Sequence, residues 1–151
     1  MDTVLQGNQK IRNMTEDDLP QLAQWAADAF TSKETGLTWT QETMLAHLSH
    51  DFKGEHSFVM YDKTGLVGGI MAYPCKYDRG NELFLHTIVI RPDQQSQGVG
   101  KALLGWFIKY AKNQHITGIR LDAHVRLPSY AWYKQFGFQP SGWEQELLTL
   151  T

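Results

Sequence analysis

A glycine-containing segment, Gln95-Ser96-Gln97-Gly98-Val99-Gly100-Lys101, joins the apolar run Ile88-Val89-Ile90 to a stretch of helical periodicity. Glycines at such a junction let backbone N–H groups approach a ligand closely. The free N–H groups of a helix N-terminus attract anions. The local chemistry is therefore phosphate binding. A P-loop would need glycine at Gln95 and Ser or Thr at Ala102, and has neither. A dinucleotide fingerprint would need a small residue at Leu103.

Other side chains could move protons. Glu82 and His86 flank Phe84 on one strand face if no bulge intervenes, and His86 has the better intrinsic pKa for a base. Asp122 and His124 are further candidates, and Tyr133 and Tyr130 carry phenols. Cys75, the single cysteine, excludes an internal disulfide and is read as packing. His47 and His50 stand i, i+3 on a helix without a third ligand at suitable local spacing, so no metal site is expected. No Gly-x-Ser-x-Gly occurs, which disfavours an α/β-hydrolase. Trp25, Phe30 and Trp39 are assigned to core packing.

These groups need a scaffold. A chain of 151 residues, 42% hydrophobic and 20% charged, is sized for one domain, 1–151. A net charge of −2 argues against a general nucleic-acid binder. No apolar run suits a membrane helix and no secretory leader is evident, so a cytoplasmic protein is expected. A strand is predicted over 9–14. Thr15 caps a first helix carrying Leu19, Leu22, Ala23, Ala26 and Phe30, and Thr40 caps a second carrying Met44, Leu45 and Leu48. Strands follow at 57–62, 66–77 and 82–90, then a helix over 98–113, a strand over 117–125, a short helix over 128–136 and two strand-like pieces in 137–151. Three hairpin strands followed by β-α-β imply a mixed α/β sheet with helices packed on it.

With Ile-Val-Ile-Arg-Pro before it and Lys-Ala-Leu-Leu after it, Gln95-x-x-Gly98-x-Gly100 resembles the acetyl-CoA loop of the GNAT superfamily of N-acetyltransferases. Tyr130-Ala131-Trp132-Tyr133-Lys134-Gln135-Phe136-Gly137-Phe138 resembles the family's Tyr-x-x-x-Gly-Phe block. The two blocks stand in family order, and the element order matches along nearly the whole chain. The resemblance implies a mostly antiparallel sheet with about four helices, splayed between the fourth and fifth strands. It implies acetyl-CoA as co-substrate and no metal. The pyrophosphate would meet the backbone from Gln95 through Ser96, Gln97, Gly98, Val99 and Gly100 to Lys101. The pantetheine arm would lie along Ile88, Val89 and Ile90, with an N–H near Ile88 polarising the carbonyl. One departure is Arg126, where many members have Asn.

Acetyl transfer to an amine also needs a base and a proton donor for the leaving thiolate. Tyr133 at the motif position is assigned the donor role. Some members use Glu at the position level with Phe84, so the base falls to His86 or Glu82. The acceptor side is expected between Thr31–Trp39 and the strand ends near His86 and His124. One carboxylate, Glu34, and an aromatic wall suit a small primary amine. Dimers are common in the resembled family, so a homodimer is compatible with the resemblance and the oligomeric state is left open. The alternatives are an acyl-CoA-binding module without catalysis, a transferase for protein amines, and a nucleotide-phosphate-binding domain.

Overall fold

In the computed structural model, which describes residues 3–4 and 8–150, six strands form one sheet in chain order. They are β1 Thr3–Val4, β2 Lys10–Asn13, β3 Phe58–Asp62, β4 Gly65–Tyr77, β5 Gly80–Ile90 and β6 Gly118–Leu121. Neighbours are antiparallel except β5 and β6, which run parallel. The helices are α1 Leu19–Phe30, α2 Gln41–Asp51, α3 Val99–Asn113 and α4 Pro128–Lys134. This is the mixed, mostly antiparallel architecture expected from the sequence, whose fourth and fifth strands are β5 and β6.

Local chemistry sets the helix starts. Thr40 Oγ1 accepts from the Thr43 N–H at 3.1 Å, capping α2. Before α1, the Thr15 N–H donates to Asp18 Oδ2 at 2.9 Å, and Arg12 grips the same carboxylate through both terminal nitrogens at 2.9 Å. That bidentate pair ties the end of β2 to the entry of α1. A short 3-10 turn, Glu16–Asp18, precedes the α-helix.

The sheet separates two cores. One face packs Ile70, Leu83, Leu85, Leu103, Leu104 and Phe107, with α3 and α4 over it. The other packs Leu22, Ala26, Met44, Leu48, Met71 and Val89 under α1 and α2. Phe107 is wholly buried, a position where truncation to Ala costs about 3–5 kcal/mol.

An irregularity in β5 shapes everything downstream. Leu85 pairs with Ala72 and Thr87 with Met71, so His86 is an extra residue opposite no partner on β4. Leu83 and Leu85 therefore face the α3 side before it, whereas Ile88 and Ile90 do so after it, with Val89 on the other face. The parallel pairing of β5 with β6 ends at Leu85 and Leu121, immediately before the bulge. β5 continues to Ile90 paired with β4 only, and β5 and β6 part there.

Two expectations need correction. The strand predicted over 117–125 stops at Leu121, because its partner turns away at the bulge. The strand-like pieces predicted in 137–151 are not strands over 137–150. Alternating apolar residues favour extended backbone, but a strand also needs a neighbour's N–H and C=O groups, and no described strand pairs with this segment. Trp143, Leu147, Leu148 and Leu150 stand exposed. Among the described residues no helix is long and apolar enough to cross a membrane.

Candidate active site

β5 leads into the glycine segment through a 3-10 turn, Pro92–Gln94. Its shape is held from within. Gln95 Nε2 donates to the Ile90 carbonyl at 3.0 Å and Gln97 Nε2 to the Asp93 carbonyl at 3.1 Å. Arg91 is braced by Asp93 at 2.6 Å and by the Leu66 carbonyl at 2.9 Å. Ser96 and Gly98 take left-handed backbone, φ 62° and 82°.

Gly98 is the N-cap of α3, and no side chain caps the helix there. Its first turn carries no acidic residue. The leading N–H groups, beside exposed Gln95, Ser96, Gln97 and Lys101, suit an anion. Gly100 sits where three elements meet: a β-carbon there would lie 3.5 Å from Trp132 Cζ2 and 3.6 Å from Ile90 Cγ1. The end of β5, the start of α3 and α4 thus converge. From His86 to Ile90 the edge of β5 away from β4 has no strand partner among the described residues. Ile88 and Ile90 pack on the α3 face and Val89 is buried on the other. An extended arm could lie along this edge.

At the bulge, the His86 and Thr87 side chains meet, Nδ1 to Oγ1, at 2.7 Å. His86 Nε2 lies 3.0 Å from Asp51 Oδ2 on α2. The rings of His86 and His47 are 4.6 Å apart, and Trp39 continues the stack at 5.0 Å from His47. Tyr73 borders His86 at 6.4 Å and stacks on Phe84 at 5.3 Å. The His86 side chain is only 6% exposed. Burial pushes its pKa below the ordinary value, helped by His47 and opposed by Asp51, so the ring is neutral near pH 7. The acidic shift of Asp51 comes first from His50, whose Nδ1 is 2.9 Å from Oδ1.

Glu82 lies on the same face but is engaged elsewhere. Its Oε1 accepts from Arg120 Nε at 2.5 Å, and the Arg120 guanidinium lies 3.5 Å from the Tyr77 ring centroid. A buried carboxylate committed to a guanidinium holds β5 to β6, and this ion pair removes Glu82 from the candidate bases. Tyr133 packs in the α3-side cluster between Trp132 and Phe138. Burial raises its pKa to about 12, so the phenol keeps its proton. Its hydroxyl has no hydrogen-bond partner among the described residues.

The remaining candidates separate. His124 Nδ1 accepts from the Arg126 N–H at 3.1 Å, and Asp122 accepts from Gln145 at 3.0 Å. Arg126, at the position often Asn, reaches across to the Glu34 carbonyl at 3.3 Å. This links the 31–39 segment to the exit of β6. Cys75 is half-buried with its thiol pKa raised by burial, which makes a poor nucleophile. A cleft of about 320 Å³ between α3, β6 and Phe136–Gln139 lies at the far end of α3 from the glycine segment.

Asp51, His47 and Thr87 are the site residues that sequence reasoning missed. His47 and Asp51 are i, i+4 on α2, a spacing that places both on one face. The third partner, His86, comes from a strand 35 residues further on, which local spacing could not show. The side-chain ligand atoms of His47, Asp51 and His86 lie within 4.8 Å of one another, close enough to hold a cation.

The chain is 24% identical over 141 residues to an uncharacterised N-acetyltransferase of Methanocaldococcus jannaschii, covering 85% of this chain and 60% of that protein. The chain therefore spans less than two thirds of that relative's length. The fold matches that of a possible acetyltransferase from Clostridium difficile 630, with TM-score 0.74, 17% identity, and 96% and 99% of the two chains covered. A predicted acetyltransferase with acetyl-CoA from Clostridium acetobutylicum has TM-score 0.68 and 14% identity, with 93% and 96% covered. At these identities the structures speak for the fold alone. The family model for the Acetyltransferase (GNAT) family matches residues 19–138, through the bulged strand, the glycine segment and the Tyr133 helix, and the chain belongs to that family.

Proposed function

We propose that the protein transfers an acetyl group from acetyl-CoA to the primary amine of a small molecule, by direct attack in a ternary complex. The observation that carries this reading is the unpaired edge of β5. At one end it meets the uncapped N-terminus of α3, and at the other it meets His86 backed by Asp51. At about 3.3 Å per residue, His86 and Ile90 are about 13 Å apart, which separates a phosphate end from a reacting end.

The bound thioester supplies the activated acetyl group; the chain's residues do the rest. Backbone N–H groups from Gln95 to Lys101 neutralise phosphate charge. An N–H of β5 near Ile88 is the donor for carbonyl polarisation. With Nε2–H directed at Asp51, the accepting nitrogen of His86 is Nδ1. It takes the amine proton through the Thr87 hydroxyl that it touches, and Asp51 stabilises the imidazolium. Tyr133 donates a hydrogen bond to the departing sulfur. With a pKa of about 12 against about 8.5 for a thiol, it shares its proton rather than surrendering it outright.

The acceptor side supports a small cation-bearing substrate. Trp39 and Tyr73 provide aromatic faces, and Asp51 and the region of Glu34 provide negative charge. The test is a panel of small amines, lysine peptides and protein N-termini incubated with acetyl-CoA, read by thiol release and by product mass. Acetylation of small amines is expected. Transfer to peptides alone would reassign the acceptor, and CoA binding without transfer to any amine would favour the acyl-CoA-binding module.

A further inference from the structure

We propose that His47, Asp51 and His86 form a binding site for a first-row divalent transition metal such as Zn2+, whose occupancy would compete with the proton-transfer role that the proposed function gives His86 and Asp51. Two imidazoles and one carboxylate are a donor set suited to zinc and its neighbours, and unsuited to Mg2+ or Ca2+, which prefer oxygen alone. The ligand atoms lie within 4.8 Å of one another. In a tetrahedral zinc site, with bonds of about 2.0–2.1 Å, ligand atoms are about 3.3 Å apart. His86 Nε2 and Asp51 Oδ2 already approach that spacing at 3.0 Å, and His47 closes the rest by turning about its side-chain torsions. His47 is exposed, and its turning would give up its ring contacts with Trp39 and His86.

The surroundings favour the same assignment. His47 and Asp51 project from one face of α2, so two ligands are fixed by one rigid element. The third comes from the bulge, where the second ring nitrogen of His86 is held by Thr87 Oγ1 at 2.7 Å. With a metal bound, Nδ1–H would donate to Thr87 Oγ1 and the Nε2 lone pair would face the ion, the reverse of the tautomer that bonds Asp51 in the metal-free site. Outer partners of this kind fix the tautomer and orientation of metal-bound histidines. Three protein ligands leave a fourth position for water or a donor from solution. A bound cation would take the nitrogen that otherwise bonds Asp51, so metal occupancy and the His86–Asp51 hydrogen bond exclude each other. His50, which also contacts Asp51 at 2.9 Å, is 86% exposed and competes for the other oxygen.

The experiment uses the untagged full chain, stripped with chelator, and needs no acetyl-CoA. Zn2+ titration by calorimetry and Co2+ titration by visible absorption should both give one ion per chain, with a Co2+ spectrum of low coordination number. His47→Ala, at an exposed position, and His86→Gln should each weaken Zn2+ at least about tenfold. His50→Ala should leave affinity and stoichiometry unchanged, and millimolar Mg2+ should not compete. Absence of one-to-one binding would overturn the assignment. So would affinity unchanged in His47→Ala, whatever the folding of His86→Gln. Loss in His50→Ala with retention in His47→Ala would place the ion elsewhere and overturn it too.

Discussion

The imidazole of His86 and the carboxylate of Asp51 meet at 3.0 Å across the boundary between a bulged strand and the last turn of α2. Neither position is remarkable alone; together they make an oriented imidazole. His86→Gln should lower kcat by about 10²–10⁴ if the ring carries the amine proton. Asp51→Asn, which keeps the shape and loses the charge, should cost less, about tenfold, with KM for acetyl-CoA nearly unchanged. Steady-state kinetics on the best amine checks both. Equal activity in wild type and His86→Gln, with chemistry rate-limiting, would return His86 to a packing role.

Gly98 tests the phosphate cradle. Its φ of 82° disfavours any L side chain, while a β-carbon there meets open space. Gly98→Ala should therefore lower stability by about 1 kcal/mol through backbone strain alone. Gly98→Glu adds a negative charge at the helix start and should abolish the rise in Tm that CoA confers on the wild type. Thermal shift with and without CoA separates strain from lost binding. Full CoA protection of a folded Gly98→Glu variant would displace the cofactor from this loop.

Tyr133→Phe should separate chemistry from packing with unusual cleanness. The hydroxyl makes no hydrogen bond among the described residues, so its removal should leave stability within about 0.5 kcal/mol. If it stabilises the leaving sulfur, kcat should fall about a hundredfold or more while acetyl-CoA affinity holds. Unfolding curves and single-turnover rates on the same preparation give the comparison.

Asp18 predicts an acid sensitivity. Burial would raise its pKa, but the Arg12 hydrogen bonds and charge and the Thr15 N–H together outweigh that and hold it below the ordinary value. A carboxyl lowered on folding stabilises the native state at pH above its unfolded pKa, about 3.9. That stabilisation is lost as pH falls through the folded pKa. Asp18→Asn should thus be less stable than wild type at pH 7, by about 1 kcal/mol given the partial exposure of Arg12, and the gap should narrow as pH falls through the folded pKa of Asp18. Denaturant unfolding from pH 7 downward reads the difference. A constant gap across that range would assign the effect to geometry instead of charge.

Much of this was legible in the residues. Thr40 marks a helix entry because side-chain capping is local, whereas Thr15 opens a 3-10 turn ahead of α1 through its N–H to Asp18, and the glycine spacing from Gln95 to Lys101 announces a strand-to-helix junction. Glu82 could not be demoted from sequence. Its partner Arg120 is on the parallel neighbour strand, and a parallel register is set by a crossover rather than by a turn. Asp51 was hidden for a related reason, since a helix face and a bulge find each other only through tertiary packing. The 137–151 segment misled because apolar alternation reports what a strand needs from itself and nothing about whether a neighbour exists.

The bulge has a consequence for how this chain tolerates length change. Remove His86 and the remaining residues still alternate correctly: Leu85 opposite Ala72 would be followed by Thr87 opposite Met71, with Val89, Ile88 and Ile90 on their present faces. Removal of Thr87 would leave the same alternation, with His86 opposite Met71, whereas removal of Phe84 would turn Leu85 out of its core. His86 is thus dispensable to the ladder. A chain shortened at His86 should fold, zip β5 further along β6, and close the seam that the proposed function gives to the pantetheine arm. By this arithmetic His86 behaves as an inserted residue, a spare letter in the strand that the sheet does not need for its own spelling.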